Sequence, residues 1–330
     1  MVNQEVKYSL KEIVEILISD DAGMDLKKSV IDQVYVAFFE QARIGDLAQN
    51  VAGHQAVSLN SGKAIGVMHA AECLKDYHRT IQLLKGLHKS VLNTMAEKPN
   101  KKVHVFYAGT GPFAPFVHFL GQLFTAGQIC FTLLEVNPES LNCTKELISN
   151  LQMTSYVSEF LLADATTYVI KNPENVDVLF SETLDSMLFR EAYVPILMNL
   201  KPQLAADVKI IPQNVKLSIM AFKEIVDGVQ RKYLGSVFNV FEFLKDPSKM
   251  IVKEEYVQCA KIPVSKDYEG YKFAIQTEVQ VYKDCSIEFD QSSITLSFVL
   301  EKKVPFDFNT FNFTYDLYPN LELKCDFENQ

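Results

Sequence analysis

The chain has 330 residues, 48% of them hydrophobic and 22% charged, which excludes fibrous, collagen-like and wholly disordered proteins and exceeds what one hydrophobic core usually holds. Its 32 basic and 41 acidic residues give a net charge of −9, so it lacks the electrostatic footprint of a nucleic-acid or anionic-membrane binder. Six cysteines (Cys73, Cys130, Cys143, Cys259, Cys285, Cys325) lie far apart, with no CxxC pair and no histidine at ligand spacing, so neither a metal site nor a disulfide framework is expected.

At the N-terminus, Lys7, Lys11, Glu12 and Glu15 interrupt the apolar positions, which breaks any signal-peptide core, and no apolar run reaches membrane-spanning length. A cytoplasmic location is the expectation. From residue 1 to about 98 apolar residues recur at helical spacing, as in Ile13, Ile16, Leu17 and Leu74, Tyr77, Ile81, Leu84, which predicts a helical N-terminal segment. Its one gap, near Asn50 to Lys63, is polar and glycine-bearing and reads as a loop, either a plain connector or the border of a site.

Pro99 to Lys102 punctuate the chain, and short apolar runs then alternate with helical patterns. The runs are VHVFYAG, ICFTLLEVN, VSEFLLAD, VDVLFSE and VKIIP, with helices predicted over about 115–125, 140–151 and 188–199. That alternation predicts a doubly wound α/β domain over residues 99–215, with ligands at the carboxyl ends of its strands. Over residues 216–330 the apolar positions shift to period two, as in Val279/Val281, Ile287/Phe289, Ile294 to Leu300, Phe311 to Leu317 and Leu321 to Cys325. A half-buried antiparallel β domain is expected there, with Tyr256 to Asp267 unassigned and Glu301-Lys302-Lys303 at a solvated hairpin end.

Tyr107-Ala108-Gly109-Thr110-Gly111-Pro112 follows the first strand directly, and its two glycines let backbone pass close to a ligand. Glu135 ends the second strand, 26 residues after Gly109, where an acid is placed to accept ribose hydroxyls. Together they point to a nucleoside-containing ligand. Asp164 ends the third strand, where it can meet an adenine amine, and Glu182 ends the fourth, where an oxidoreductase has little use for a carboxylate beside its nicotinamide. Glu191 follows nine residues later, and two carboxylates on one loop can grip a planar guanidinium, although Glu191 also suits a helix N-terminus. His104 and His118 fit core packing, and His69 and His78 lie on the helix before the first strand.

With these motifs in place, the chain resembles the class I S-adenosylmethionine-dependent methyltransferases of the protein arginine methyltransferase type over roughly residues 62 to 220. ECLKDYHRT is similar to the family's pre-core helix, YAGTGP to the glycine turn of its symmetric-dimethylating branch, LLEVNPES to the ribose-acid strand, and VDVLFSETLDSMLFRE to the double-glutamate loop. The resemblance implies S-adenosylmethionine as cofactor, a Rossmann-like core and a substrate-side β domain. It assigns Arg79 to the cofactor carboxylate, Tyr107, Ala108, Gly109, Thr110 and Gly111 to the glycine turn, Glu135 and Val136 to the ribose, and Asp164 and Ala165 to the adenine. Glu182 and Glu191 become the catalytic guanidinium clamp.

The sequence also departs from the family. Tyr107 replaces the first motif glycine and Val105 the strand-end acid, so the aromatic must turn away or the cofactor must tolerate it. Thr183, Leu184, Asp185 and Ser186 stand where most relatives carry an aromatic and a glycine, and the threonine-histidine-tryptophan loop has no counterpart. The expected activity is methyl transfer to an arginine or guanidino acceptor, on a small molecule, peptide or protein. The alternatives are N- or O-methylation of a biosynthetic small molecule or peptide, or a catalytically silent relative that binds protein through its β domain. Neither a nucleic acid nor a membrane is an expected partner. Pairing of two copies stays open, since the tail shows no clear dimerisation arm.

Overall fold

The structure is a computed structural model that describes residues 7–47, 51–59, 61–225, 228–253, 255–300 and 309–328; the Glu301-Lys302-Lys303 run lies outside them. Five strands, β1 (Val103–Ala108), β2 (Ile129–Glu135), β3 (Val157–Leu162), β4 (Val178–Ser181) and β5 (Lys209–Ile211), form one parallel sheet ordered β3-β2-β1-β4-β5. The near-continuous apolar runs follow from that position, because helices cover both faces and β1, β2 and β4 are buried along most of their length. Strand order reverses between β1 and its neighbours β2 and β4, which opens a crevice at their carboxyl ends. At the opposite end the buried carboxylate of Asp177 accepts from His104 N–H at 3.1 Å and pairs with Lys98 and Lys101, both at 3.0 Å. It thereby ties the chain before β1 to the start of β4.

Ahead of the sheet run α1 (Leu10–Ile18), α2 (Met24–Gln41), α3 (Val67–Glu72) and α4 (Tyr77–Glu97). Ser9 starts α1 with a reciprocal capping box to Glu12, and Ile13, Val14 and Leu17 give it one buried face. Helix α5 (Pro115–Leu123) follows β1, and its fully buried His118 packs at a tilt against Phe38 of α2 at 4.9 Å, with burial pushing the imidazole down to about 3. It is a core histidine. Helix α6 (Pro138–Asn150) is capped by Asn137, which accepts from the N–H groups of Glu139 and Ser140.

The helix expected from Leu188 is shorter: α7 spans Tyr193–Leu200. Met187 and Leu188 adopt φ near +60° and cannot continue a right-handed helix, so the chain from Glu182 to Glu191 is a loop.

After β5 come β6 (Asn214–Ile225), β7 (Gly228–Asn239), β8 (Tyr256–Pro263), β9 (Lys272–Tyr282), β10 (Cys285–Ile287), β11 (Thr310–Asp316) and β12 (Glu322–Glu328). They make two antiparallel sheets, one ordered β10-β9-β6-β7 and the other containing β8-β11-β12. Phe311, Phe313 and Tyr315 turn inward, and the Phe273–Phe311 and Phe238–Tyr315 ring pairs, 5.0 and 5.5 Å apart, join the sheets into one core. The period-two run Ile294 to Leu300 is not one strand. Ser292 and Thr295 close a capping box around a short 3-10 turn over Ser293–Thr295, so only Phe298–Val299 pairs with β9. Asp76 binds this turn to the pre-core helix by accepting from the Ser292 and Ser293 hydroxyls at 2.6 Å and from Ser293 N–H at 2.9 Å.

Candidate active site

The turn after β1 is folded for close approach. Gly109 has φ +75°, and a Cβ there would meet Thr183 Cγ2 at 2.3 Å, so only glycine fits. Glu135 fastens the turn from the tip of β2. One oxygen accepts from Gly111 N–H at 2.9 Å, and the other from Val136 and Asn137 N–H, each at 2.9 Å. Burial raises the Glu135 pKa, while the N–H groups of Asn137, Gly111 and Val136 work to lower it.

Above the turn lies a cleft of about 90 Å³. Gly109, Thr110, Gly111, Glu135, Val136, Asp164, Ala165, Arg79, Glu182 and Glu191 all line it. Asp164 is held in place by accepting from Thr166 N–H and its hydroxyl at 2.8 and 2.7 Å. The segment from residue 57 supplies a further wall through Leu59, Lys63, Ala64 and Ile65. A two-residue hairpin, Val57–Ser58 with Lys63–Ala64, shapes it, and Lys63 N–H donates to the Arg190 carbonyl at 2.9 Å. The polar gap in the N-terminal helices thus borders the cleft.

Two turn residues lie elsewhere. Tyr107 and Ala108 do not line the cleft. Their side chains sit in the sheet's core, and the Tyr107 ring packs against Phe180 at 4.6 Å and Phe116 at 6.1 Å. The tyrosine hydroxyl passes beneath the turn and donates to Glu182 Oε2 at 2.5 Å. The aromatic that replaces the motif glycine therefore leaves the crevice clear and becomes a partner of the first glutamate.

Arg79, on the first turn of α4, is 3% exposed. Its Nη2 donates to the Glu182 carbonyl at 3.1 Å and stands 3.6 Å from Glu182 Oε1. Both Glu182 oxygens thus have partners inside the protein. Arg79 Nε is buried without a hydrogen-bond partner among the described residues, and Arg79 faces the cleft, an arrangement that suits an incoming carboxylate.

Beyond Glu191 a second cavity of about 860 Å³ opens between the 184–191 loop and β12. Ile65, Cys73, Arg79 and Glu191 line both spaces and form the partition between them. Glu182 lines only the cleft, whereas Asp185 lines only the second cavity. Burial pushes Glu191 up to about 8, with Arg79 opposing and Asp185 and Glu182 adding to the rise. Burial likewise raises Asp185 to about 6. Asp185 and the Tyr107 hydroxyl escaped the sequence reading, the first because a loop acid is usually solvated, the second because a side chain's reach across a sheet leaves no periodic signal. No metal-binding group of His, Cys, Asp and Glu occurs among the described residues, and none of their helices is long and apolar enough to cross a membrane.

A parallel sheet with a glycine turn after its first strand, an acid at its second strand tip, and an antiparallel β domain appended to its fifth is a Rossmann-like class I methyltransferase fold. More particularly, it is the fold of the protein arginine methyltransferases. The chain is similar to the PRMT1 enzyme-prozyme heterotetrameric complex of Trypanosoma brucei with AdoHcy, at 12% identity, covering 79% of this chain and 93% of that one with a TM-score of 0.50. Protein arginine methyltransferase 10 of Arabidopsis thaliana matches at 10% identity over 79% and 97% of the two chains, with a TM-score of 0.51. PRMT6 matches at 9% identity over 79% and 99%, with a TM-score of 0.52. No family model matches the sequence, and no curated protein matches it.

Proposed function

We propose that this chain is an S-adenosylmethionine-dependent methyltransferase whose acceptor is a cationic nitrogen of the guanidino type, on a small molecule, peptide or protein. One observation carries the reading: Arg79, Glu135 and the Gly109–Gly111 turn converge on one cleft, and Glu191 stands in the wall between that cleft and a second cavity. The Trypanosoma brucei complex, a protein of the same fold, holds AdoHcy, which supports the cofactor.

S-adenosylmethionine supplies an electrophilic methyl group on a sulfonium. Arg79 meets its amino-acid carboxylate, with the buried Nε as the free donor. Glu135 would accept from the ribose, and Asp164 and Ala165 would border the adenine, since all three line the cleft. Methyl transfer is an in-line displacement, so the protein contributes positioning and electrostatics. The second cavity favours a cationic acceptor by its charge. Asp185, Glu191, Glu322 and Asp326 line it, while of its cations Arg79 is engaged by Glu182, Lys324 by Asp316, and Arg190 lies over the Phe189 ring. Glu191, protonated in the free protein at neutral pH, ionises as a cation arrives and orients the nitrogen that attacks. Calorimetric titration with S-adenosylhomocysteine, followed by incubation with labelled cofactor and an acceptor panel of guanidino compounds, amines and phenols, tests the reading. Label on a guanidino nitrogen supports it. Binding without transfer to any acceptor would point to a silent binding protein.

A further inference from the structure

The loop between the two glutamates presents its acids to different spaces. Glu182 faces the cleft, with one oxygen toward Arg79 and the other on the Tyr107 hydroxyl. Asp185, three residues on, faces the second cavity together with Glu191. Its Oδ1 is closed off from solvent and has no hydrogen-bond partner among the described residues. Such an oxygen is costly, and a loop free to move would turn it outward.

This loop is held. Met187 N–H donates to Thr277 Oγ1 at 3.1 Å, the Ser186 hydroxyl to the Leu296 carbonyl at 3.2 Å, and the Tyr315 hydroxyl to the Leu188 carbonyl at 2.6 Å. Three separate segments of the β domain therefore fix the backbone that carries Asp185. Arg79 attracts Glu191 and Arg190 attracts Asp185, but no ion pair to either acid forms among the described residues. Arg190 is exposed and lies over the Phe189 ring, and Arg79 is engaged by Glu182.

We infer that the acidic pair receiving the acceptor's cation in this chain is Asp185 with Glu191, and that Glu182 serves the cofactor side through Arg79. The inference rests on the methyltransferase reading for what the cation belongs to; its position follows from the geometry. A guanidinium between Asp185 and Glu191 offers planar N–H edges to two carboxylates. It supplies a partner for the buried oxygen and balances the charge that Glu191 takes on as it ionises. Glu182 lines the cleft and not the second cavity, with one oxygen on the Tyr107 hydroxyl and the other toward Arg79. The loop's departure from the family pattern, an acid where relatives carry a glycine, thereby becomes a specificity element.

Agmatine, a small guanidinium amine, is the probe, titrated calorimetrically into wild type, D185N, D185E, E191Q and E182Q, with S-adenosylhomocysteine titrated separately into each. The expected result is that D185N and E191Q each weaken agmatine by about tenfold or more, the loss of one charge-assisted contact, while D185E stays within about threefold of wild type. E182Q is expected to weaken S-adenosylhomocysteine more than agmatine. A wild type that does not bind agmatine, a D185N that binds it unchanged, or an E182Q that alone loses it overturns the inference. Failure of wild type to bind S-adenosylhomocysteine overturns the methyltransferase reading instead, and the agmatine series still decides where the cation sits. Unaltered protein gives a further check that needs no variant: agmatine uptake at neutral pH releases a proton as Glu191 ionises, seen as binding heat that varies with buffer, and buffer-independent heat would also overturn the inference.

Discussion

Replacing Glu191 by Gln should stabilise the free protein above neutral pH. Glu191 titrates at about 8 in the fold, against 4.5 for an ordinary glutamate. Between those values the native protein keeps a proton that the unfolded chain has lost, so stability falls as pH rises. The contribution is fully present below pH 4.5 and gone above about pH 8. At ~1.4 kcal/mol per pH unit, the span from 4.5 to about 8 corresponds to on the order of 5 kcal/mol. Relaxation around the charged carboxylate reduces this, and a difference of about 2–4 kcal/mol, or several degrees in Tm, is a reasonable expectation for a chain of this length. Glutamine carries no charge in either state, so its curve should run flatter. Asp185, raised from 3.8 to about 6, contributes a similar fall over a lower window in both proteins and does not obscure the comparison above pH 6. The assay is thermal or urea unfolding of wild type and E191Q from pH 5 to pH 9. Coincidence near pH 5 with divergence toward pH 8.5, the variant more stable, supports the reasoning. Parallel curves above pH 6 would refute it, because Glu191 would then not be held protonated by burial.

Other perturbations test the remaining parts of the site. Tyr107→Phe removes the hydroxyl from Glu182 while keeping the ring packed against Phe180, and should cost about 1.5–3 kcal/mol in unfolding free energy and lower kcat more than S-adenosylhomocysteine affinity; unchanged unfolding and turnover would show the hydroxyl to be idle. Gly109→Ala forces a side chain into φ +75° and against Thr183 Cγ2, so cofactor affinity should fall at least tenfold, as calorimetry would read. Adding Thr183→Ser to it removes the colliding methyl group but not the backbone strain of about 1–2 kcal/mol, so rescue should be partial, and complete rescue would show that the collision alone mattered. Glu135→Gln turns amide hydrogens toward the N–H groups of Gly111, Val136 or Asn137, and should cost about 2–3 kcal/mol of stability along with cofactor affinity, measured by urea unfolding and titration.

Features set by local chemistry were legible in the sequence. The alternation from VHVFYAG to VKIIP corresponds to five parallel strands because buried parallel strands must be apolar on both faces. The glycine turn and the Glu135 tip were visible because a sharp backbone path and a strand end leave few choices of residue. What the sequence did not show depends on partners distant in the chain. Period-two spacing from Ile294 to Leu300 suggested a strand, but the Ser292–Thr295 capping box and the hydrogen bonds to Asp76 favour a turn there. Helical spacing after Leu188 was overridden by the β domain, whose Thr277, Leu296 and Tyr315 hold the loop's backbone away from helical angles. Spacing placed Glu182 and Glu191 nine residues apart, yet said nothing of which cavity each would face.

The departure at residue 107 and the altered loop have a common physical logic. A tyrosine at the end of β1 is fully desolvated, and its hydroxyl needs an acceptor. With its ring between Phe180 and Phe116 the hydroxyl meets Glu182 and leaves the cleft clear, and the glutamate's other oxygen faces Arg79. A glutamate held from both sides is rigid and kept on the cleft side of the loop. Recognition of an acceptor cation then requires a carboxylate elsewhere on the same loop, within reach of Glu191. Asp185 occupies that position, on backbone anchored by the domain that forms the cavity's far wall. The two substitutions are therefore expected to be energetically coupled. In Tyr107→Phe, Glu182 regains a free oxygen, and adding Asp185→Asn should then cost less agmatine affinity than it does in wild type. A double-mutant cycle with additive effects, within about 0.5 kcal/mol, would separate the two residues and leave the tyrosine as packing alone.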